Sequence, residues 1–170
     1  MKFTPEEEIL PIPDLLRIAM RQWTTGVTIV SSRWKEEQHG MTVSSFTSIC
    51  LDPPLVAISL AKNARTHRLV ESSNIFGVTI LSESQQELSE RFAGRIAENA
   101  DRFAGLEPFY LITGAPLLPG GLVWLDCQLE SRLDAGSNTV FLGRVLAVQN
   151  GDDAAPLLYY DRNYQKICEE

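Results

Sequence analysis

Apolar positions along the chain recur with two different periods. Leu15, Leu16, Ala19, Met20 and Trp23 are spaced by one, three and four residues, which predicts an amphipathic helix with Asp14 as its cap. From Thr24 to Trp34 the pattern switches to a β-branched run, Thr25-Gly26-Val27-Thr28-Ile29-Val30, and the polar cluster Lys35-Glu36-Glu37-Gln38 before His39-Gly40 predicts a hairpin turn. Strands are expected over 41–50 and 54–60, then a turn with a short helix over 61–72, then a strand from Phe76 to Leu81. Ser82 or Ser84 can cap a helix running to Gly94, with Gln85 or Glu87 completing a capping box and Leu88 and Phe92 on the buried face.

Between Arg95 and Gly121 the periodicity is weak and Gly, Pro and Asp are frequent, which predicts a helical stub and a long loop. Val123, Leu125, Cys127, Leu129 and Leu133 then alternate with Trp124, Asp126, Gln128, Glu130 and Arg132, the period of a half-buried antiparallel strand. A turn at Asp134-Ala135-Gly136-Ser137-Asn138 leads into Val140–Gln149, and Pro156–Tyr160 supplies a last strand. Six or seven strands joined by short hairpins, with few helices, predict a mainly β protein closed into an antiparallel barrel. At 170 residues the chain is expected to form a single domain over 1–170.

One strand is unusual in its chemistry. Gly40-Met41-Thr42-Val43-Ser44-Ser45-Phe46-Thr47-Ser48 carries small hydroxyl groups where strands usually carry apolar bulk, and it ends at Asp52-Pro53-Pro54. Such a segment forms a polar shelf suited to a flat ligand with hydrogen-bonding edges, although an ordinary Thr/Ser-rich edge strand has the same composition. A net charge of −7 with 15 scattered basic residues argues against nucleic acid, and no apolar run is long enough to span a bilayer. Cys50, Cys127 and Cys168 lack CxxC spacing, and no signal peptide is evident, which fits a reducing cytoplasm and disfavours zinc. With two histidines and no HExxH, GxSxG, Walker or GxGxxG pattern, the chain is poor in material for hydrolysis or Rossmann-type nucleotide binding. Chemistry carried by an organic redox cofactor is the better expectation.

Thr25-Gly26-Val27-Thr28-Ile29-Val30, Gly40 to Ser48, Asp52-Pro53-Pro54-Leu55-Val56, Arg65-Thr66-His67, Arg91-Phe92-Ala93-Gly94, Val140-Phe141-Leu142-Gly143-Arg144-Val145 and Pro156-Leu157-Leu158-Tyr159-Tyr160 resemble, in order, the flavin reductase-like family. The likeness covers residues 15–167 and leaves 1–13 as an N-terminal extension. It implies a homodimer of six-stranded antiparallel split β-barrels of the FMN-binding type. Each binds FMN or FAD, reduces it with NADH or NADPH, and often passes it to a partner monooxygenase. An FMN-binding electron carrier or sensor with little nicotinamide oxidation, and a barrel that binds no cofactor, are the alternatives.

Carried onto this chain, the resemblance implies that Thr42, Val43, Ser44, Ser45, Phe46 and Ser48 line the flavin ring. Ser59, Lys62, Arg65 and Thr66 then receive its phosphate, and Phe92 and Ala93 close over it. His67 beside Thr66 either assists the anion or is a polar surface residue. Many family members carry a Gly-Asp-His-Thr turn whose His meets the nicotinamide, whereas this chain reads Gly136-Ser137-Asn138-Thr139. Asn138 holds the position of that His and cannot be protonated, and Tyr160 and Arg162 match a family region beside the same pocket. The resemblance thus implies these three as nicotinamide contacts, a strand Tyr and a surface Arg being the alternative for the last two. No protein acid or base is expected, because hydride passes directly between the two cofactors.

Overall fold

The computed structural model describes residues 10–94 and 101–167. In chain order the elements are α1 Ile12–Ala19, β1 Thr25–Gly26, β2 Thr28–Trp34, β3 Glu37–Val43, β4 Phe46–Leu51, β5 Pro54–Ala61, α2 Arg65–Ser73 and β6 Ile75–Ile80. They continue with α3 Gln86–Phe92, β7 Val123–Ala135, β8 Asn138–Asn150, β9 Leu158–Tyr160 and β10 Asn163–Gln165. No helix among the described residues is long and apolar enough to cross a membrane.

Seven strands form one antiparallel sheet in the order β3-β2-β6-β7-β8-β5-β4. Its two edge strands, β3 and β4, follow each other in the chain and are joined only by Ser44 and Ser45. That short link forces the sheet to curl until its edges meet, which makes a barrel split between β3 and β4. The fold is thus the expected split barrel, with seven strands in place of six. Strand β9 pairs with β1 and β10 in a separate small sheet.

The barrel interior is filled by Val30, Ile58, Leu60, Phe76, Val78 and Phe141, all fully buried. A second apolar cluster, Val27, Ile29, Leu81, Phe92, Phe103, Leu118 and Leu157, lies outside the barrel under α3 and the segment after residue 100. Adjacent residues of a strand point to opposite faces, so Val30 enters one cluster while Ile29 enters the other. That double burial is why β2 reads as a continuous β-branched run rather than an alternating one. The capping box forms between Ser82 and Gln85, and its short 3-10 turn, Glu83–Gln85, leads into α3. Leu88 and Phe92 both face the second cluster.

Several expectations are corrected. The first helix is capped at Pro11, and Asp14 lies in its first turn, paired with Arg17 at 2.6 Å. None of its residues is buried, so its apolar stripe does not pack on this protomer's core. The expected strand over 41–50 is two strands with a corner at Ser44–Ser45, because the chain crosses there from one edge of the sheet to the other. The hairpin turn contracts to Lys35–Glu36, with Lys35 at φ 55°. On β7 the alternation holds only in part. Trp124 and Asp126 are buried beneath the 109–118 loop, and Leu133 is 67 % exposed where the β7–β8 hairpin projects beyond the barrel. The helical stub expected from Arg95 lies partly outside the described residues; 101–122 is irregular, as anticipated.

Candidate functional site

The Ser44–Ser45 corner and the elements around it frame two cavities that share Thr42 and Ala93 as walls. The first, about 260 Å³, is lined by His39, Met41, Asn63, Arg65, Phe92 and Arg102 among others. The second, about 320 Å³, is bounded by Val27, Ser44, Tyr159 and Tyr164. One groove therefore runs from a basic end, past small side chains, to an aromatic end.

The basic end is assembled from three elements. Helix α2 begins at Arg65, and Ala64 at its N-cap has no side chain to satisfy the first-turn amides, so those N–H groups and the positive end of the helix are available to an anion. Arg65 Nε donates to Glu37 at 2.6 Å, and Arg68 donates to the same carboxylate oxygen at 2.7 Å. These bonds hold the Glu37 carboxyl below its usual range, Arg65 being the largest cause. From the far side, Arg102 donates to the carbonyls of Gly40 and Phe92 at 3.0 and 2.9 Å, tying the 101–105 turn to β3 and to the end of α3.

His39 is 4 % exposed and lines this cavity. Its Nδ1 is 2.8 Å from the hydroxyl of Thr66, and its Nε2 is buried with no hydrogen-bond partner among the described residues. Burial first, then the guanidinium groups of Arg102 and Arg65, push the imidazole down to about 4. Because the folded value lies below the unfolded one, the unfolded chain takes up the extra proton, and the stability from neutral His39 is present above about pH 6.5 and lost as pH falls toward about 4. Urea unfolding is expected to show about 2 kcal/mol less stability at about pH 5 than at about pH 7.5 from this group. His39→Gln removes that share of the slope, and an unchanged slope in the variant refutes it.

The shelf is tied together by hydroxyl groups. Ser45 Oγ donates to the Ser59 carbonyl at 2.8 Å and accepts from the Ser59 amide at 3.3 Å, while Asn138 Nδ2 donates to Ser59 Oγ at 3.1 Å. The Asn138 position is thereby wired into the shelf across β5. Thr42 Oγ1 donates to the Ser89 carbonyl at 2.6 Å, and Ser89 Oγ bonds Tyr164 Oη at 2.8 Å, which fixes α3 against the shelf and the C-terminal hairpin.

The residues singled out in the sequence are only partly gathered here. Thr42, Ser44, Arg65, Phe92 and Ala93 line the groove, while Ser45, Ser59 and Asn138 form a hydrogen-bonded chain beside the Ser44 corner and line neither cavity. Thr66 is fully buried and meets the cavity through His39. Val43 points into the barrel core with Phe46 packed beside it, and Ser48 is exposed farther along β4, lining neither cavity. Lys62 pairs with Asp134 at 3.4 Å. Tyr160 donates to Gln22 at 3.1 Å, and Arg162 lines a separate shallow pocket with Met20 and Trp23. His67 is no surface residue. It is 4 % exposed, bonded to Thr139 at 2.8 Å and packed on the Phe141 ring.

Sequence reading missed His39, Asn63, Arg102, Tyr159 and Tyr164 as groove residues. A histidine immediately before Gly40, at the head of the hydroxyl-rich segment, was a usable signal for His39. Arg102 carried none, because it reaches the site across the tertiary fold from an aperiodic segment.

A split barrel whose edge gap opens on a hydroxyl shelf, with a basic cavity at one end and an aromatic pocket at the other, belongs to the class of nucleotide-binding barrels rather than to Rossmann folds. The chain belongs to the flavin reductase like domain family, whose model matches residues 20–168. It is 38 % identical over 151 residues to the NADH-dependent flavin reductase StyB of Pseudomonas fluorescens, covering 87 % of this chain and 86 % of that one. It is 33 % identical over 149 residues to the reductase component of 4-hydroxyphenylacetate 3-monooxygenase of Thermus thermophilus, covering 88 % and 93 %. The structure of the Streptomyces globisporus NADH:FAD oxidoreductase SgcE6 with NAD and FAD fragments superposes with a TM-score of 0.85 at 29 % identity, over 95 % of this chain and 97 % of that one.

Proposed function

We propose that this protein is an NAD(P)H:flavin oxidoreductase that supplies reduced FMN or FAD to a partner monooxygenase. The observation that carries the reading is the continuous groove, basic at Arg65, Arg102 and the start of α2, and hydroxylic at Thr42 and Ser44. The groups present fit a flavin nucleotide. Its phosphate is matched by the uncapped helix start and Arg65, its ring by the shelf, and a stacking partner by the open aromatic end at Tyr159 and Tyr164. A flavin held there would supply the hydride-accepting N5, and a nicotinamide the hydride.

The chain's own residues bind, orient and leave space. Thr42, Ser44 and Ser45 keep the shelf low enough for two stacked rings, where a large side chain would fill the volume. The Ser45–Ser59–Asn138 chain of hydrogen bonds holds the corner beside Ser44 against β5 and the start of β8. None of these groups titrates near neutral pH, which suits a step that needs no acid or base. The electron-carrier alternative lacks a comparable observation in its favour.

The test is the initial rate of NADH and NADPH oxidation by the purified protein, with and without FMN, FAD and riboflavin. Oxidation that depends on added flavin and saturates with it supports the reductase. Firmly held flavin with no oxidation of either donor overturns it.

The reading extends to a homodimer in a reducing cytoplasm. Leu16 and Trp23 of the α1 region are 59 % and 67 % exposed, and Ile49 and Leu51 on the open edge strand β4 are 50 % and 88 % exposed, more apolar surface than a lone protomer usually leaves in water. Sedimentation equilibrium is expected to give twice the 19.0 kDa protomer mass. A monomer at micromolar concentration rules this out.

A further inference from the structure

The anion end of the groove contains a polar atom that the family resemblance did not assign. His39 is held by Thr66 through Nδ1, lines the cavity, and leaves Nε2 buried without a partner among the described residues. A buried ring nitrogen without a hydrogen bond is costly, so its persistence beside Arg65, Arg102 and an uncapped helix start points to a ligand atom that satisfies it. We propose that His39 is the buried donor of the anion site, presenting Nε2–H to a phosphate oxygen of the bound flavin nucleotide, with Thr66 as its positioning residue. This rests on the flavin reading given above.

The tautomer follows from the geometry. A neutral imidazole can carry its proton on either ring nitrogen, but only the form in which the Thr66 hydroxyl donates to Nδ1 leaves a proton on Nε2 for an anion. Thr66, expected from sequence to touch the phosphate, is fully buried and acts one step back. The groups that face the ring electrostatically are Arg102, Arg65 and Arg68, which disfavour its charged form, and Glu37, which favours it. Burial and the three guanidinium groups outweigh Glu37 and keep the ring neutral near pH 7, so it serves as a neutral donor rather than as a fixed charge. Such a donor discriminates a phosphorylated flavin from riboflavin, because riboflavin lacks the acceptor and leaves Nε2 orphaned.

Two measurements test this. The chain has two histidines, so a long-range proton–nitrogen spectrum of the 15N-labelled wild-type protein contains only two rings. Addition of FMN is expected to shift the His39 Nε2 resonance and to show it protonated; riboflavin is expected to leave it in place, and His67 to stay fixed with both. By flavin fluorescence quenching, His39→Leu is expected to weaken FMN binding about 10- to 100-fold while riboflavin binding stays within about twofold, and His39→Gln, which can place an amide near Nε2, to recover most of the loss. A His39 resonance that ignores FMN, or equal weakening of FMN and riboflavin in folded His39→Leu protein, overturns the role of His39 and leaves the flavin reading standing. Wild-type protein that binds neither flavin overturns both. Should His39→Leu fail to fold, the wild-type spectrum decides alone.

Discussion

Ser45→Trp is expected to weaken flavin binding by at least about 100-fold while the barrel stays folded. Ser45 sits at the exposed corner between β3 and β4, and its hydroxyl hydrogen-bonds the Ser59 backbone. Losing those two hydrogen bonds costs about 1 kcal/mol at an exposed position, a small part of a domain's stability. An indole at the same position, one residue from Ser44 in the cavity wall, is expected to reach over the shelf and take the space that the flavin ring needs. Ser45→Ala separates the two effects, since it removes the hydroxyl and keeps the space. Fluorescence quenching and thermal unfolding on both variants decide the matter. A folded Ser45→Trp protein that binds flavin like wild type places the shelf elsewhere.

The largest stability effect is expected at Gly143. This residue lies on β8 between Val56 of β5 and Leu129 of β7, with the fully buried Phe76 ring filling the barrel interior beneath it. A Cβ at this position would lie 2.6 Å from Phe76 Cε1 and 3.2 Å from Cys127 Cβ. Neither neighbour can give way, since Phe76 is enclosed by the barrel wall and Cys127 is pinned in the adjacent strand. Gly143→Ala is expected to cost about 3 kcal/mol, which for a domain of this size is a fall in melting temperature of about 10 °C. Adding Phe76→Leu, itself destabilising, is expected to cost less in the Gly143→Ala background than in wild type, because the shorter side chain makes room for the new methyl. Additive effects of the two changes on thermal unfolding contradict the clash.

The two substitutions act on different parts of one construction. Phe76 and Gly143 complement each other so that the sheet can close tightly, and closure is what brings β3 beside β4 and opens the shelf at their split. The site is therefore a product of the sheet's edges, where backbone and small hydroxyls are approachable, rather than of its packed interior. A small residue at Ser45 and no side chain at Gly143 serve two different needs, room for a ligand and room for a ring.

Much of this was legible in the chain itself, for local reasons. The β-branched run at 25–30, the Ser82–Gln85 capping box, the turn before Asn138 and the hydroxyl-rich segment at 42–48 each depend on residues near one another in sequence. Short-range propensity and periodicity report such features directly. The ordered fragments that resemble the family also located Arg65, Phe92 and Ala93 at the groove. What failed did so where a distant neighbour decides. Leu133 alternates like a core residue, yet its strand outruns the barrel and leaves it in solvent. Asp126 and Trp124 look solvent-facing by period, yet the 109–118 loop folds over them and supplies Thr113 and the Leu118 carbonyl as partners.

The same division runs through the site. Sequence alone determined that the chain builds an antiparallel barrel carrying a hydroxyl shelf and a cationic helix start, because strand period, turn residues and caps are local properties. Only the tertiary structure decided that His39, 27 residues from Thr66, would share its ring with that hydroxyl, and that Arg102, 62 residues from Gly40, would close the other side. It also took Lys62 out to Asp134 and turned His67 into the core. Which face a polar side chain presents, and to what, depends on how the sheet curls and which loop lands on it, and no short window of sequence contains that information.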